Sequence, residues 1–249
     1  MFHRCAVAFL LIFSTFHLAV NAAEPAGGNR GPEITKCDDP QLRTLIEKYV
    51  KEHRLNHCVP VEWANCASDD GTDPTTGKKV WTELWVEGFI GLAHIESTCQ
   101  SGPKSNTPND ANGKPSRGLF QMTGGDSALG HNCFGTTDPN SEEPYNAEKN
   151  VECAVRKMIE LLLGGTHSPG DGDTTRQPKD GACGSLFVNA KKYWGPFKEG
   201  NANQHKAKNL VNELANHCGR SSFDASVIET GGPPSGDRAR GNKPRPQQR

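Results

Sequence analysis

The stretch WTELWVEGFIGLAHIES, residues 81–97, decides the fold of this 249-residue chain because its apolar residues recur at helical spacing. Counting back from Glu96, the positions three, four, seven and eleven residues earlier are Ala93, Leu92, Phe89 and Trp85. A helical residue shares its face with neighbours at these spacings. The sequence therefore predicts an acidic side chain on the apolar face of a helix.

An apolar setting changes the chemistry of Glu96. Loss of hydration disfavours the charged carboxylate and raises its pKa. Ser97 and Thr98 lead into a loop, so the helix is expected to end just after Glu96, where the partial negative charge of its C-terminus acts in the same direction. Such a carboxyl group stays protonated near neutral pH and can serve as a general acid. The alternative is a boundary glutamate whose stem packs on the core while its carboxylate reaches water.

A second motif, SRGLFQM at residues 116–122, follows after a polar loop. A Glu-Ser pair at a helix end, followed by Ser116-x-Gly118-Leu119-x-Gln121, resembles the lytic transglycosylase-like fold of glycoside hydrolase family 23. This family includes the soluble lytic transglycosylases, with their SLT domain, and the goose-type lysozymes. The resemblance covers two motifs in the correct order, although the family usually has Met where this chain has Phe120.

The resemblance implies a mainly α (α+β, lysozyme-like) fold and cleavage of the β-1,4 bond between N-acetylmuramic acid and N-acetylglucosamine in peptidoglycan. It implies Glu96 as the general acid and a cleft lined by the second motif. Ser116 and Gly118 belong to that motif, and glycine lets the backbone approach a sugar closely. Gln121 can donate to and accept from sugar groups. Residues 118–122 are expected to begin a helix.

Tyr193 corresponds by position to a cleft-lining tyrosine late in family members. Its aromatic ring with a polar tip suits a sugar face. A buried core aromatic is the alternative.

Two ways of completing the reaction remain open. An inverting glycosidase needs a second carboxylate to activate water, and Asp110 is the candidate by position. The alternative for Asp110 is a turn-forming residue within residues 109–113. The resemblance to lytic transglycosylases implies instead that Glu96 protonates the leaving oxygen and then acts as base toward a hydroxyl of the sugar. No metal or organic cofactor is implied.

The ends of the chain indicate an exported protein. After Arg4, residues 6–20 are almost wholly apolar and small residues at 20–22 offer a cleavage site. This predicts a signal peptide at residues 1–22, too short to span a bilayer. Residues 23–36 are predicted to be flexible, 37–219 to form one catalytic domain, and 220–249 to be a disordered basic tail. We expect a secreted or periplasmic monomer with no integral membrane segment.

Cleavage of the predicted signal peptide removes Cys5 and leaves eight cysteines: Cys37, Cys58, Cys66, Cys99, Cys133, Cys153, Cys183 and Cys218. An even number in an exported chain predicts up to four disulfides stapling the long loops. A zinc site is the alternative, but the sequence has no Cys-x-x-Cys pair. The sequence leaves the pairing open.

Charge excludes one class of partner and suggests a substrate preference. The mature chain has 27 basic residues (28 less Arg4) and 29 acidic ones, which argues against nucleic-acid binding.

Residues 96–152, however, contain eight acidic and four basic residues. An acidic cleft favours a glycan with free amines. In this charge pattern the chain resembles the lysozymes reported to act on deacetylated walls, as in predatory bacteria. This predicts a preference for partly de-N-acetylated peptidoglycan with Glu142 and Glu143 as amine partners; solvated loop charges are the alternative.

Two other classes of function compete with a glycosidase. The first is a non-catalytic peptidoglycan-binding module with a lysozyme-like fold. The presence of both Glu96 and Gln121 argues against it, because a binder has no need of a desolvated acid. The second is a disulfide-rich inhibitor or toxin, which neither the long helices nor the glycan-type motif supports.

Overall fold

The computed structural model describes residues 33–66, 81–103, 115–129, 131–163, 181–218 and 225–230. These residues form five α-helices: α1 Pro40–Glu52, α2 Thr82–Ser97, α3 Ala147–Leu162, α4 Gln204–His217 and α5 Ala225–Thr230. Short 3₁₀-helices lie at Leu55–His57, Val61–Cys66, Glu143–Tyr145, Ala190–Lys192 and Gly195–Phe197. The predicted mainly α class is confirmed. The predicted signal peptide lies outside the described residues.

Four two-residue strands form two small pairs. β1 Cys58–Val59 runs parallel to β4 Gly181–Ala182, and β2 Ser127–Ala128 runs antiparallel to β3 His131–Asn132. Strands this short cannot form a layer of their own. The helices therefore build the core.

Two of the helices, α1 and α3, begin where a side chain satisfies one of their first backbone donors. Asp39 caps α1 by accepting a hydrogen bond from the Gln41 amide at 2.8 Å, and Pro40 occupies the first turn. The Asp39-Pro40 pair and the apolar periodicity that follows it predict a helix over residues 40–54, and α1 ends two residues earlier, at Glu52. Asn146 caps α3 in the same way through the Lys149 amide at 3.0 Å.

α2 is the central helix, with thirteen of its sixteen residues buried. A helix buried on nearly all sides packs against several neighbours, here α1 and α4. A Cβ atom at Gly91 would lie 2.3 Å from Cδ1 of Leu210, so only glycine allows α4 this close. Neither α2 nor any other helix in the described part of the chain is long and apolar enough to cross a membrane.

A row of aromatic rings connects the core to the second sequence motif. Trp63 meets Trp85 edge-on with 5.3 Å between ring centroids, and Trp85 is 5.9 Å from Phe89. Phe89 in turn meets Phe120 edge-on at 5.6 Å. Edge-to-face pairs at these separations add to the stabilisation from burial, so the motif rests on the face of α2 that also carries Glu96.

All eight cysteines predicted to form disulfides do so. The pairs are Cys37–Cys99, Cys58–Cys183, Cys66–Cys218 and Cys133–Cys153. Two of them join the first third of the chain to its last third. Four disulfides are typical of proteins that fold in an oxidising compartment.

The folded part reaches beyond the predicted domain at both ends. Ile34, within the segment predicted to be flexible, is fully buried, and its amide donates to Ser101 Oγ at 2.8 Å. In the predicted tail, α5 packs on α4: Ile228 is buried, and its carbonyl accepts from Asn209 at 3.0 Å. The prediction of disorder from residue 220 is therefore wrong for residues 225–230, because one buried apolar side chain anchors them. Residues 231–249 lie outside the described part.

Candidate functional site

Glu96 lies on the last turn of α2 with the buried residues Phe89, Leu92 and Ala93 on the same face. Its side chain keeps partial access to solvent. Desolvation by the surrounding protein nevertheless raises the pKa of its carboxyl group to about 8. Among the described residues, none donates a hydrogen bond or forms an ion pair that would stabilise the charged form. The carboxyl group is therefore protonated at neutral pH and still reachable.

The end of α2 is held in an uncommon backbone conformation. Thr98 and Cys99 both have positive φ, 54° and 59°. Their amides donate to the last carbonyl groups of the helix, Thr98 to His94 at 2.9 Å and Cys99 to Ala93 at 3.1 Å. A β-branched residue in the left-handed region is strained. The Cys37–Cys99 disulfide fixes this end, three residues after the acid.

The second motif forms a tight turn, so the expected helix at residues 118–122 is wrong. Arg117 and Met122 exchange two backbone hydrogen bonds of 2.9 Å, which close the turn as an antiparallel bridge. Gly118 and Gln121 have φ of +73° and +50°. These left-handed residues are incompatible with an α-helix. Ser116 precedes the turn and is half-buried.

Asn150 holds this turn against α3. Its side-chain oxygen accepts from the Phe120 amide at 2.9 Å, and its amide group donates to the carbonyls of Pro144 at 2.8 Å and Arg117 at 3.3 Å. A Cβ atom at Gly118 would lie 2.2 Å from the Pro144 carbonyl oxygen. Glycine is therefore needed at residue 118 to pack the turn on α3. The resemblance to glycoside hydrolase family 23 matches Asn150-Val151 to an Asn-Ile pair that opens a helix in that family. In the structure α3 begins earlier, at Ala147, and the sequence does not predict the contacts that Asn150 makes with the turn.

Gln121 combines a strained backbone with a polar side chain at the half-buried edge of the turn. Its side-chain amide donates to the Gly118 carbonyl at 2.9 Å. Strain of this kind persists where surrounding contacts determine the conformation, and it concentrates at functional sites. Gln121 and Gly118 therefore lie in the same turn. The hydroxyl of Ser97, the residue after Glu96, donates to the Leu119 carbonyl oxygen of this turn at 2.9 Å.

Tyr193 approaches the continuation of the turn. Its hydroxyl donates to Asp126 at 2.5 Å, and the same carboxylate oxygen accepts from the Thr123 amide at 2.7 Å. The ring lies edge-on to Trp194, with 5.1 Å between centroids, and is only partly buried. Asp126, which the sequence does not single out, therefore fixes Tyr193 beside the segment that follows Gln121.

The two predicted amine partners have different surroundings. Glu143 forms an ion pair with Lys149, whereas Glu142 is exposed. Arg117 ties their loop to the turn by donating to the carbonyls of Pro139 at 3.0 Å and Ser141 at 2.8 Å. The acidic loop therefore lies against the second motif.

The formal acidity of this region is partly neutralised. Beyond the Glu143–Lys149 pair, Glu148 on α3 pairs with Lys48 on α1 at 2.7 Å. The Lys48 contact also lowers the pKa of the Glu148 carboxyl group. The count of eight acidic against four basic residues thus overstates the charge offered to a ligand.

Asp110, the predicted second carboxylate, lies outside the described residues. One group of potential metal ligands occurs in the described part of the chain: Cys37, His94 and Cys99. Their two sulfur atoms are bonded to each other, and metals bind cysteine as the thiolate. In the oxidised chain the two cysteines therefore have a structural role, because their disulfide links residue 37 to the end of α2.

Comparison with known proteins adds no assignment: none of the family models, curated proteins or solved structures that were compared matches this chain. The resemblance to glycoside hydrolase family 23 stays a prediction.

Proposed function

We propose that this protein is an exported glycosidase that cleaves the β-1,4 bond between N-acetylmuramic acid and N-acetylglucosamine in peptidoglycan, with Glu96 as general acid. The observation that carries the proposal is the Glu96 carboxyl group, which has a pKa of about 8 and keeps partial solvent access. A group protonated at neutral pH can donate to the glycosidic oxygen as the bond breaks. A purely structural glutamate would instead pair with a cation or reach water fully.

The turn at residues 117–122 supplies the second part of the site. The Ser97–Leu119 hydrogen bond holds this turn at the end of α2, so Gln121 lies on the segment attached to the acid-bearing helix. Its amide can bind the hydroxyl or acetamido groups of a sugar. Tyr193, fixed by Asp126, offers a partly exposed ring to a sugar face.

Peptidoglycan lies outside the cytoplasm, so this function requires export. Four disulfides support an oxidising compartment. The signal peptide predicted at residues 1–22 would provide the route.

A preference for partly de-N-acetylated peptidoglycan is the finer part of the proposal. Because Glu142 is more exposed to solvent than Glu143, it is the more accessible of the two for a glucosamine amine. Glu142→Gln should therefore reduce any preference for deacetylated walls more than Glu143→Gln does.

The deciding experiment measures clearance of purified sacculi by the wild type and by Glu96→Gln, on native and on chemically deacetylated walls. The Gln side chain keeps the shape of Glu but cannot release a proton. Glu199→Gln, at an exposed glutamate, is the matched control. We expect clearance by the wild type and the control only. Sacculi bound but not cleared by the wild type would identify a non-catalytic binding module instead.

Mass spectrometry of the released fragments then separates the two reaction types. Reducing ends identify a hydrolase, for which a second carboxylate must activate water. Anhydro-muramyl ends identify a lytic transglycosylase, in which Glu96 acts alone.

A further inference from the structure

A cleft of about 480 Å³ opens between the start of α1, the middle of α2 and the start of α5. Sites for small molecules commonly have volumes of about 300 to 1,000 Å³. Glu87 lines this cleft from α2 and lies nine residues before Glu96. Nine residues are about two and a half turns of helix, so the two side chains leave α2 on opposite sides. The cleft is therefore separate from the candidate site at Glu96.

The cleft is acidic. Asp38, Asp39 and Glu87 line it, and Arg43 is the one basic residue among the described residues that do so. Arg43 donates to Glu87 and, at 2.9 Å, to Glu83, so its positive charge is neutralised within the protein. Asp38 is exposed and Asp39 is half-buried. These two aspartates therefore attract a cation into the cleft.

One wall of the cleft contains a buried charge. The side chain of Glu87 is only 2% exposed, and its carboxylate pairs with the guanidinium of Arg43. A buried ion pair generally stabilises a fold no more than apolar side chains of similar volume. A few fixed polar groups in a concave, largely apolar site do, however, hold and orient a polar ligand. The buried pair is thus better explained by binding than by stability.

Apolar groups complete the cleft: Pro40 on α1, Ile90 on α2 and Ala225 on α5. An alkyl chain packs on such groups while a terminal ammonium group donates up to three hydrogen bonds. We propose that the cleft binds a primary ammonium group on an alkyl chain. The ammonium donates to Asp38 and Asp39, and the methylene groups pack on Ile90.

Two sources of ligand share this chemistry. One is a free alkyl diamine, and the other is the side chain of a diamino acid within a peptide. The second source would let the proposed glycosidase hold the stem peptides of the wall on the side of α2 away from Glu96. Only this use rests on the proposed function, since the binding itself needs no catalysis.

Chemical-shift titration of the isotope-labelled, disulfide-bonded chain tests the site at constant ionic strength. The two probes are cadaverine and a lysine peptide with blocked ends, each compared with its fully N-acetylated form. We expect saturable shifts at the amides of Arg43, Ile90 and Ala225 with the free amines and none with the acetylated forms. Tighter binding of cadaverine identifies a free diamine as the source, and tighter binding of the peptide identifies a diamino acid side chain. Neither result depends on clearance of sacculi.

Three variants locate the ammonium group. Asp38→Asn and Asp39→Asn should each weaken binding by up to about 5-fold, because each removes one charge near the surface. Asp39 caps α1 by accepting from the Gln41 amide, and asparagine caps equally well, so the fold is kept. Ala225→Leu should weaken binding by filling the cleft.

The matched control is Glu52→Gln, at an exposed glutamate on the other end of α1, which should bind like the wild type. Equal binding of the free and acetylated probes would overturn the proposal. Affinities unchanged in both aspartate variants, or shifts spread over the surface carboxylates and not centred on the cleft, would also overturn it.

Discussion

The hydroxyl group of Ser97 donates a hydrogen bond to the carbonyl oxygen of Leu119 over 2.9 Å, and both residues are buried. Ser97 directly follows Glu96, and Leu119 lies inside the turn that carries Gln121. The same hydroxyl lies 3.1 Å from the Ala93 carbonyl within α2. This contact joins the two motifs that the sequence places 22 residues apart.

Removing this contact should weaken both the fold and the site. Ser97→Ala leaves the buried Leu119 carbonyl without its partner, which costs about 1–3 kcal/mol. We also expect a lower kcat, because the turn is no longer fixed relative to Glu96. Urea unfolding and turnover of peptidoglycan fragments measure the two effects. Thr44→Ala, which removes a similar backbone contact on an exposed face of α1, should change stability by less than about 0.5 kcal/mol.

The Glu96 carboxyl group should make folding stability depend on pH. Its pKa rises from 4.5 to about 8 on folding, so the unfolded chain releases this proton first and stability falls as the pH rises across that window. Glu96→Gln removes this pH dependence. The free energy of unfolding of the variant, relative to that of the wild type, should therefore increase by up to about 1.4 kcal/mol for each pH unit across this window. Activity of the wild type should decline above a pH of about 8.

Thermal unfolding at several pH values and a pH profile of kcat/KM test this prediction. Glu199→Gln should track the wild type at every pH. A constant difference between wild type and Glu96→Gln from pH 4.5 to 8 would contradict the raised pKa.

Two glycines with similar backbone angles should respond very differently to alanine. Gly118 has φ of +73° and Gly135 has φ of +69°. A Cβ atom at Gly118 would lie 2.2 Å from the Pro144 carbonyl, whereas at Gly135 it would meet nothing within 4 Å. Gly135→Ala should cost only the conformational strain, about 1–2 kcal/mol. Gly118→Ala should cost clearly more in chemical denaturation, and equal losses would show that the turn can move away from α3.

Replacing Gln121 with glycine should increase the free energy of unfolding of the protein. Gln121→Gly relieves the left-handed conformation and should add about 1 kcal/mol, while binding of glycan fragments weakens. Arg54→Gly is the matched control, because Arg54 also has positive φ, 58°, in a segment without candidate site residues. It should gain stability and keep binding. Calorimetric melting and fragment titration separate the two effects, and unchanged glycan binding by Gln121→Gly would remove this residue from the site.

Docking of α5 should weaken in acid. The ion pair with Lys206 and the contact with His94 hold the pKa of Glu229 below its usual 4.5. The undocked carboxylate therefore takes up a proton at higher pH than the docked one, so this stabilisation is present above 4.5 and is lost as the pH falls. The protection factors of the amides at residues 225–230, which correct for the pH dependence of intrinsic exchange, should fall on acidification. Glu229→Gln should show low protection factors at all pH values, and a wild type with pH-independent protection factors there would contradict the assignment.

The helices follow from local signals in the sequence. The Asp39-Pro40 cap and the apolar periodicity predict α1 to within two residues of its end. The burial of Phe89, Leu92 and Ala93 beside Glu96 also follows from helical spacing alone. Interactions within one helix turn are encoded within a few residues of sequence.

The turn and the ion pairs do not follow from local signals. The bonds that hold residues 117–122 against the helices come from Ser97 and Asn150, which are 22 and 30 residues from the Leu119 and Phe120 groups they bind. A Gly-Leu-Phe-Gln run is locally compatible with a helix start, so tertiary contacts decide the outcome. The same holds for Glu143: only the folded chain brings Lys149 to its carboxylate. Disulfide pairing is likewise a property of the fold.

The Cys66–Cys218 disulfide closes a covalent ring that contains α2, α3 and the whole of α4. A protease that cuts one peptide bond between these two cysteines opens the ring but releases no fragment. The nicked protein would keep its mass on a non-reducing gel and separate into two pieces only after reduction. A single cleavage by a foreign protease would therefore not detach Glu96 from its supporting helices.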